Sequence, residues 1–557
     1  MRRLLSQLWP QSPGTRDAVV GLFAIFYLVF LVNTGSLGFV WDDWEMVHRA
    51  HAQAATFQGM LKHMAFLEPR VQFLYWLWYW LMAKAFNLWA APYFAVILAA
   101  HFGGSLLLYR SLRGLDFGEA TSRAAAALYL VAPSSAPGLF AVCNSLFIFP
   151  CAALALIVWL ALFPRSSRPL DLAALTFACL LCQFLNDATV PLLYLTLAAL
   201  MLREMLSAPG SARFRPPMRL LIPAAVSLAS LALYWLVIVR RILPGSKLPP
   251  LQWDLAKLWH AVSGLLIGQG QTLNAGSWMF GKLTVSPSAP SWILFPALAA
   301  VLWFLVVRAP ADPEDRRPPA AATAAFLAVA FAGTLAPLVW ALTIGYRTEV
   351  ETRYLCVPGL VVAVFIAIAV DALSRLGRAP AERLRRGLLF GACLYVSSLM
   401  LYDVRDIWGL QERADEKVWA RLDMNFPPQK KYLWEHPSNP RAKYIITDGL
   451  QRATLMPYNR SNAIGNFSGN VAVQGRMRLI NGVELIPVSR PLGELNGRVI
   501  VKPYYEQPVL ADKSEIFAVV FRSGLEYSEI GDGIVLTFPD YEDYKRYRAA
   551  EGLNLGD

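Results

Sequence analysis

Charge is what this sequence has little of. Only 16% of its 557 residues are Asp, Glu, Lys or Arg, where soluble domains carry roughly a quarter. Hydrophobic residues make up 56% of the chain, and the mean hydropathy is +0.41. The shortage of charge excludes an ordinary soluble protein and points to an α-helical polytopic membrane protein. Cysteine is scarce too: Cys143, Cys151, Cys179, Cys182, Cys356 and Cys393 all fall in apolar stretches, and none lies in the polar C-terminal region. That excludes a disulfide framework, and the Cys179/Cys182 spacing reads as packing rather than metal ligation. There is no internal repeat of fixed period and no long low-complexity tract.

The net charge of +12 is spread as short basic clusters between apolar stretches. That pattern marks membrane topology and argues against nucleic acid as a partner. Arg2, Arg3 and Arg16 precede an apolar stretch over 18–40, which is too long for a signal-peptide core and reads as an uncleaved first span. Further stretches of spanning length lie at 91–109, 123–139, 141–163, 170–186, 189–206, 218–239, 290–307, 320–344, 355–374 and 386–402.

Residues 71–86 are the ambiguous case, being apolar but crowded with Tyr and Trp, whose polar tips suit the headgroup region. If this segment lies at the interface, the clusters around Arg113, Arg168, Arg215, Arg316 and Arg383 share one side, and the short loops near 140 and 187 on the other side hold no basic residue. The positive-inside rule then gives eleven spans with the N-terminus inside. On that topology the Asp42-Asp43 loop, the Asn186-Asp187 turn, the 240–289 loop and the segment Arg347–Arg353 all face outward. Trp253, Leu255, Leu258 and Trp259 recur at helical spacing and predict a second interfacial helix.

From residue 403 the charges return, with turn signals at Asn481-Gly482 and Asp532-Gly533 and β-prone runs at Lys443–Thr447, Arg498–Val501 and Ile516–Phe521. The division is a membrane domain over 1–402 and an extracytoplasmic soluble α/β domain over 403–557, ending in a charged helix over Tyr541–Arg548.

Two adjacent carboxylates at a membrane boundary carry the strongest chemical signal. Desolvation and mutual repulsion would tune one of Asp42 and Asp43 for proton abstraction. A helix N-cap explains the pair equally well, since Glu45, Met46 and Val47 follow. Glu45, His48, His51, His63 and Glu68 crowd the same loop without matching a metal-ligand spacing. Arg70, Arg347 and Arg353, with Glu351 and Tyr354 beside them, are suited to an anion at the surface, because a guanidinium offers two parallel donors and a charge that does not titrate away. Arg240, Arg241 and Lys247 run against the positive-inside trend and fit an anionic ligand or lipid headgroup. Asp187 in its short turn needs water or a partner and should line a cavity.

In order and in sidedness these segments resemble the GT-C superfamily of polyprenyl-phosphate-sugar-dependent glycosyltransferases, in particular its protein O-mannosyltransferase and aminoarabinose transferase branches. The similarity lies in the acidic pair after the first span, the segment Glu68 to Trp76, the segment Leu107 to Arg113, the turn Asn186 to Pro191, and Glu351 to Pro358. It covers about 400 residues of membrane region. The sequence departs from the family at Val71, where a Pro is usual, and its C-terminal domain carries no part of the resemblance. The resemblance implies a bacterial inner-membrane enzyme whose active site and C-terminal domain face the periplasm. It would take a polyprenyl-phosphate sugar as donor and a glycan, lipid or protein hydroxyl as acceptor, with inversion at the anomeric carbon. Asp42 or Asp43 would be the base; Arg353, Arg347, Tyr354, Arg240, Arg241 and Lys247 would hold the phosphate; Glu45, His48, Arg70, Asp187 and Glu351 would line the cavity. No cofactor is required for a monophosphate leaving group, although a diphosphate donor would favour a divalent ion. The competing readings are a transporter or lipid flippase, which lacks the expected inverted repeat, an O-antigen ligase or polymerase, and a non-catalytic scaffold.

Overall fold

The computed structural model describes residues 13–32, a few between 38 and 59, 72–115, 117–163, 168–186, 189–207, most of 217–237, 356–375, most of 381–405, 432–437, 486–503, 508–522, 534–538 and 541–550. The predicted spans over 290–307 and 320–344 and the predicted helix near Trp253 lie outside these residues. The described helices are α1 Pro13–Val32, α2 Phe73–Phe86, α3 Ala91–Gly114, α4 Glu119–Leu130, α5 Ala136–Phe140, α6 Ile148–Leu162, α7 Arg168–Leu185, α8 Val190–Ser207, α9 Met218–Leu233 and α10 Cys356–Arg375, then α11 over 382–399 and α12 Tyr541–Ala550. Among them α3 packs against α4 and α6, α7 against α6 and α9, and α10 against α4.

Among the described residues two helical stretches are long and apolar enough to cross a membrane, Ala91–Gly114 and Val142–Leu162, and four shorter apolar helices accompany them. The expected span over 123–139 is corrected: α4 ends at Leu130, and a 3-10 turn over Pro133–Ser135 follows. Hydropathy runs straight through this break, but Pro133 has no N–H to continue the helix and holds Ala132 in an extended conformation.

The helical region encloses an apolar core that includes Tyr27, Phe94 and Ile148 and also exposes large apolar side chains. Phe26, Phe177 and Leu233 are 68%, 66% and 62% exposed, whereas Gln183, Asn186 and Ser227 are buried. Exposed apolar side chains suit lipid outside, and buried polar ones need partners within. Gln183 on α7 shows how: its Oε1 accepts from the Tyr194 hydroxyl of α8 at 2.8 Å and from Ser227 of α9. On its buried face α3 carries small and polar residues. Ser105 donates to Ala126 O at 2.7 Å, Ser111 to Ala155 O at 3.2 Å, and Gly104 lies against Ala152 of α6 so closely that an added Cβ would come within 3.2 Å of its Cα. Helices without a hydrophobic drive to associate pack through such small residues.

Two polar contacts fix the direction of α1 against α11. Tyr27 donates to Ser398, and Arg405 Nε donates to the last carbonyl of α1, Val32 O, at 3.4 Å. The first contact spans 371 residues and the second 373, so the two helices run the same way and the chain beyond Arg405 starts on the side where α1 ends. At the other end, ion pairs tie the connections. Arg219 meets Glu204 at 3.0 Å, and Arg386 meets Asp371 at 3.0 Å and Glu382 at 2.6 Å.

All six described strands fall between residues 432 and 538: β1 Tyr432–Pro437, β2 Ile486–Leu495, β3 Arg498–Pro503, β4 Val509–Ala511, β5 Ile516–Arg522 and β6 Ile534–Phe538. They form one mixed sheet in the order β4-β3-β2-β1-β5-β6, with β1 parallel to both β2 and β5. The runs predicted at Arg498–Val501 and Ile516–Phe521 lie inside β3 and β5. The run at Lys443–Thr447 and the turns at Asn481-Gly482 and Asp532-Gly533 lie outside the described residues. The β2–β3 hairpin instead turns on Asn496-Gly497, with φ of 51° and 76°, the pair a type I′ turn demands.

Two measurements test this architecture. Gly104→Leu should lower the thermal midpoint through overpacking worth about 1–3 kcal/mol, while Gly103→Ala, whose added Cβ meets nothing within 4 Å, should raise it, because Ala favours the helix over Gly; equal losses would refute the close α3–α6 contact. Topology reporters fused at residues 115 and 450 should read opposite sides of the membrane, and the same side for both would refute the arrangement.

Candidate active site

The helical stretch from Val142 to Leu162 opens with a 3-10 segment, Val142–Phe147, whose N-cap Ala141 offers no side-chain bond. The first amides of any helix lack intrahelical acceptors. Here Asp43 supplies them from the first loop. Its Oδ2 accepts from Val142 N at 3.1 Å and its Oδ1 from Cys143 N. The carboxylate is fully buried and lies at the positive end of the helix dipole, where an anion is favoured. The capping explanation of the acidic pair is thus half right: Asp43 is a cap, but the helix it caps begins 99 residues further along.

Helix α2 secures the same spot. Tyr75 donates to the carbonyls of Val142 and Cys143, each at 3.0 Å, and Tyr79 donates to Asp43 O at 3.2 Å. Burial, and then the nearby Asp43 carboxylate, push the Tyr79 phenol well above its usual pKa, so it remains a donor. Both hydroxyls are buried against backbone carbonyls, which corrects the expectation that their polar tips need headgroup water. The 14 residues of α2 lie across the ends of neighbouring helices. Phe73 meets Phe184 at the end of α7 (4.7 Å between ring centroids) and Tyr234 just beyond α9 (6.3 Å). Trp78 meets Phe149 at the start of α6 (4.8 Å) and Tyr93 at the start of α3 (6.2 Å).

Two further segments join this end of the bundle. Asn186 Nδ2 donates to Leu146 O at 3.0 Å, and Thr189 donates back to Asn186 O at 2.7 Å, so the turn that carries Asp187 is anchored on both sides. Cys356, three residues after Arg353, donates its Sγ–H to Ser134 O at 3.1 Å and opens α10. The loop after α1, the turn before α6, the turn between α7 and α8 and the entry to α10 therefore meet around residues 133–147.

Asp43 is the predicted site residue that the structure describes. Asp42, Glu45, His48, Arg70, Asp187, Arg240, Arg241, Lys247, Arg347, Glu351, Arg353 and Tyr354 lie outside the described residues, as do His51 and His63. Sequence reasoning missed the groups that bind Asp43, because backbone amides carry no residue signal and Val142 and Cys143 read as ordinary span residues. Cys179 and Cys182 are buried and free, and among the described residues no cluster of His, Cys, Asp and Glu could hold a metal ion.

No protein-family model matches the chain, and no curated protein does. Among solved structures it is similar to ArnT from Cupriavidus metallidurans bound to undecaprenyl phosphate, at 11% identity and a TM-score of 0.44, over 94% of this chain and 98% of that one. It is similar to the same protein in the apo state at 11% identity and a TM-score of 0.43, over the same shares of the two chains.

Proposed function

We propose that this protein is an inverting glycosyltransferase that moves a sugar from a polyprenyl-phosphate carrier to an acceptor hydroxyl at the outer face of the membrane. The observation that carries the reading is the buried Asp43 carboxylate on the amides of Val142 and Cys143. It draws the acidic pair of the first loop to the end of the bundle where the turn bearing Asp187 and the segment after Arg353 are also anchored.

In the reaction, Asp42 or Asp43 takes the proton of the acceptor hydroxyl. The oxygen attacks the anomeric carbon from the face opposite the phosphate, and the carbon–oxygen bond to the phosphate breaks with inversion. The departing phosphate keeps the bonding electrons and its charge. Arg353, helped by Arg347, Tyr354, Arg240, Arg241 or Lys247, neutralises it; fixed positive groups aimed at developing charge are often the largest contribution to such transfers. Glu45, His48, Arg70, Asp187 and Glu351 line the acceptor and sugar cavity. The donor is itself membrane lipid, and the acceptor is a surface glycan, lipid or protein. Residues 403–557 form the soluble domain on the same side as the acidic pair, which in a bacterial inner membrane is the periplasm.

The test uses the full chain in lipid nanodiscs with undecaprenyl-phosphate hexoses, N-acetylhexosamines and aminopentoses, plus a cell-envelope extract as acceptor source, and measures release of undecaprenyl phosphate. At least one donor should be turned over, and loss of the general base should slow release about 10²–10⁴-fold. Normal release by both Asp42→Asn and Asp43→Asn would sink the catalytic assignment. Arg353→Ala should cut turnover by at least tenfold, because the leaving charge loses a partner. Chelation with EDTA should leave turnover unchanged, since Arg and Lys suffice for a monophosphate; a loss restored by Mg²⁺ or Mn²⁺ would put a metal in the site.

A further inference from the structure

We infer that Asn144 is a sugar-recognition residue of the proposed site, whose carboxamide hydrogen-bonds a hydroxyl of a bound sugar and so helps to set which sugars are accepted. The inference rests on the proposed function and deepens it, because it ties the choice of sugar to a named group.

Asn144 stands in the 3-10 segment Val142–Phe147, close to where the turn after α7 and the entry to α10 are anchored. Its neighbours are committed on both sides. Val142 and Cys143 give their amides to Asp43 and their carbonyls to Tyr75, Ser145 donates to Val142 O at 2.7 Å, and Leu146 O accepts from Asn186. The backbone of Asn144 is fixed as well, its N–H donating to Ala141 O at 3.2 Å. The side chain is the exception. It is only 7% exposed and its amide has no hydrogen-bond partner among the described residues, yet neither its oxygen nor its nitrogen is shut off from solvent. Burying an unbonded amide is costly, and here a turn held at both neighbours keeps one nearly buried where a small molecule can still reach it.

The chemistry of the group and of its surroundings selects the ligand. A carboxamide is uncharged and carries two N–H donors and a carbonyl acceptor, which matches a hydroxyl, itself both donor and acceptor. The buried Asp43 carboxylate on the two preceding amides disfavours a phosphate at this spot, and a hydrocarbon chain would leave the amide unpaired. A neutral, hydroxyl-bearing sugar meets both conditions, and either the donor sugar or an acceptor glycan supplies one. Such a contact also selects, because an analogue without the hydroxyl leaves a nearly buried amide unpaired.

The test uses the full chain in nanodiscs with sugars from which single hydroxyls are deleted. With a donor that the wild type consumes, Asn144→Ala should lower kcat/KM about 5–150-fold, and Asn144→Ser, which keeps a shorter donor and acceptor, should fall between the two. Against the one deoxy analogue that lacks the contacted hydroxyl, wild type and Asn144→Ala should perform alike; whether that analogue is a donor or an acceptor tells which sugar Asn144 holds. Asn144→Ala should leave the thermal midpoint within about 1 °C of wild type, since it breaks no side-chain bond, while Asn186→Ala, which frees Leu146 O, should lower it by about 2 °C or more. The inference is overturned if Asn144→Ala and Asn144→Ser keep wild-type kcat/KM for donor and acceptor, if their loss is the same with every deoxy analogue, or if Asn144→Ala melts as low as Asn186→Ala. If the wild type consumes no polyprenyl-phosphate sugar, the proposed function fails by itself, and saturation-transfer NMR of methyl glycosides reads the contact directly: binding that Asn144→Ala abolishes supports the inference, and binding that is absent or unchanged by the substitution overturns it.

Discussion

A buried carboxylate on the first two amides of a helix organises one whole end of this molecule. The contact joins residue 43 to residues 142 and 143, and the same turn accepts from Tyr75 and, at Leu146, from Asn186. In a chain short of charge, an anion without exposed surface needs donors with no competing partner, and helix N-termini have them by construction. Capping a helix from its own preceding residue costs only local ordering. Capping it from another loop also fixes a tertiary distance, which a site assembled from distant segments requires.

The same economy of polar groups runs through the bundle. Gln183, Tyr194, Ser227 and Ser230 satisfy one another across α7, α8 and α9, and Ser105 and Ser111 donate to carbonyls of neighbouring helices. Phe26, Phe177 and Leu233 point outward. A solvent of hydrocarbon removes water as a fallback partner, so each polar side chain inside either finds a donor or acceptor or costs several kcal/mol. The ion pairs of Arg219 and Arg386 sit at the opposite end from Asp43.

Helix positions in the membrane region were largely legible, because an apolar run of spanning length has few alternatives. The stretches predicted over 91–109, 141–163 and 355–374 correspond to Ala91–Gly114, Val142–Leu162 and Cys356–Arg375. The run over 123–139 misled, since hydropathy averages over Pro133 while the backbone stops there. In the C-terminal region the β-prone runs at 498 and 516 marked strands, but the pairing of β1 with both β2 and β5 joins segments far apart in sequence, which local propensity does not encode. The Asn496-Gly497 turn carries the same Asn-Gly signal as the pair at 481–482.

By itself, the sequence determined where the described helices over 91–114, 142–162 and 356–375 run, because a long apolar run follows from local composition. It also singled out Asp42-Asp43. Only the tertiary structure distinguished what Asp43 does, since the partners of its carboxylate are main-chain N–H groups that every residue but proline possesses. Their identity is set by which helix happens to begin beside the loop. That depends on how α2 lies across the ends of its neighbours, and an aromatic run is compatible with crossing the bilayer or lying along it until Tyr75 and Tyr79 find their carbonyls.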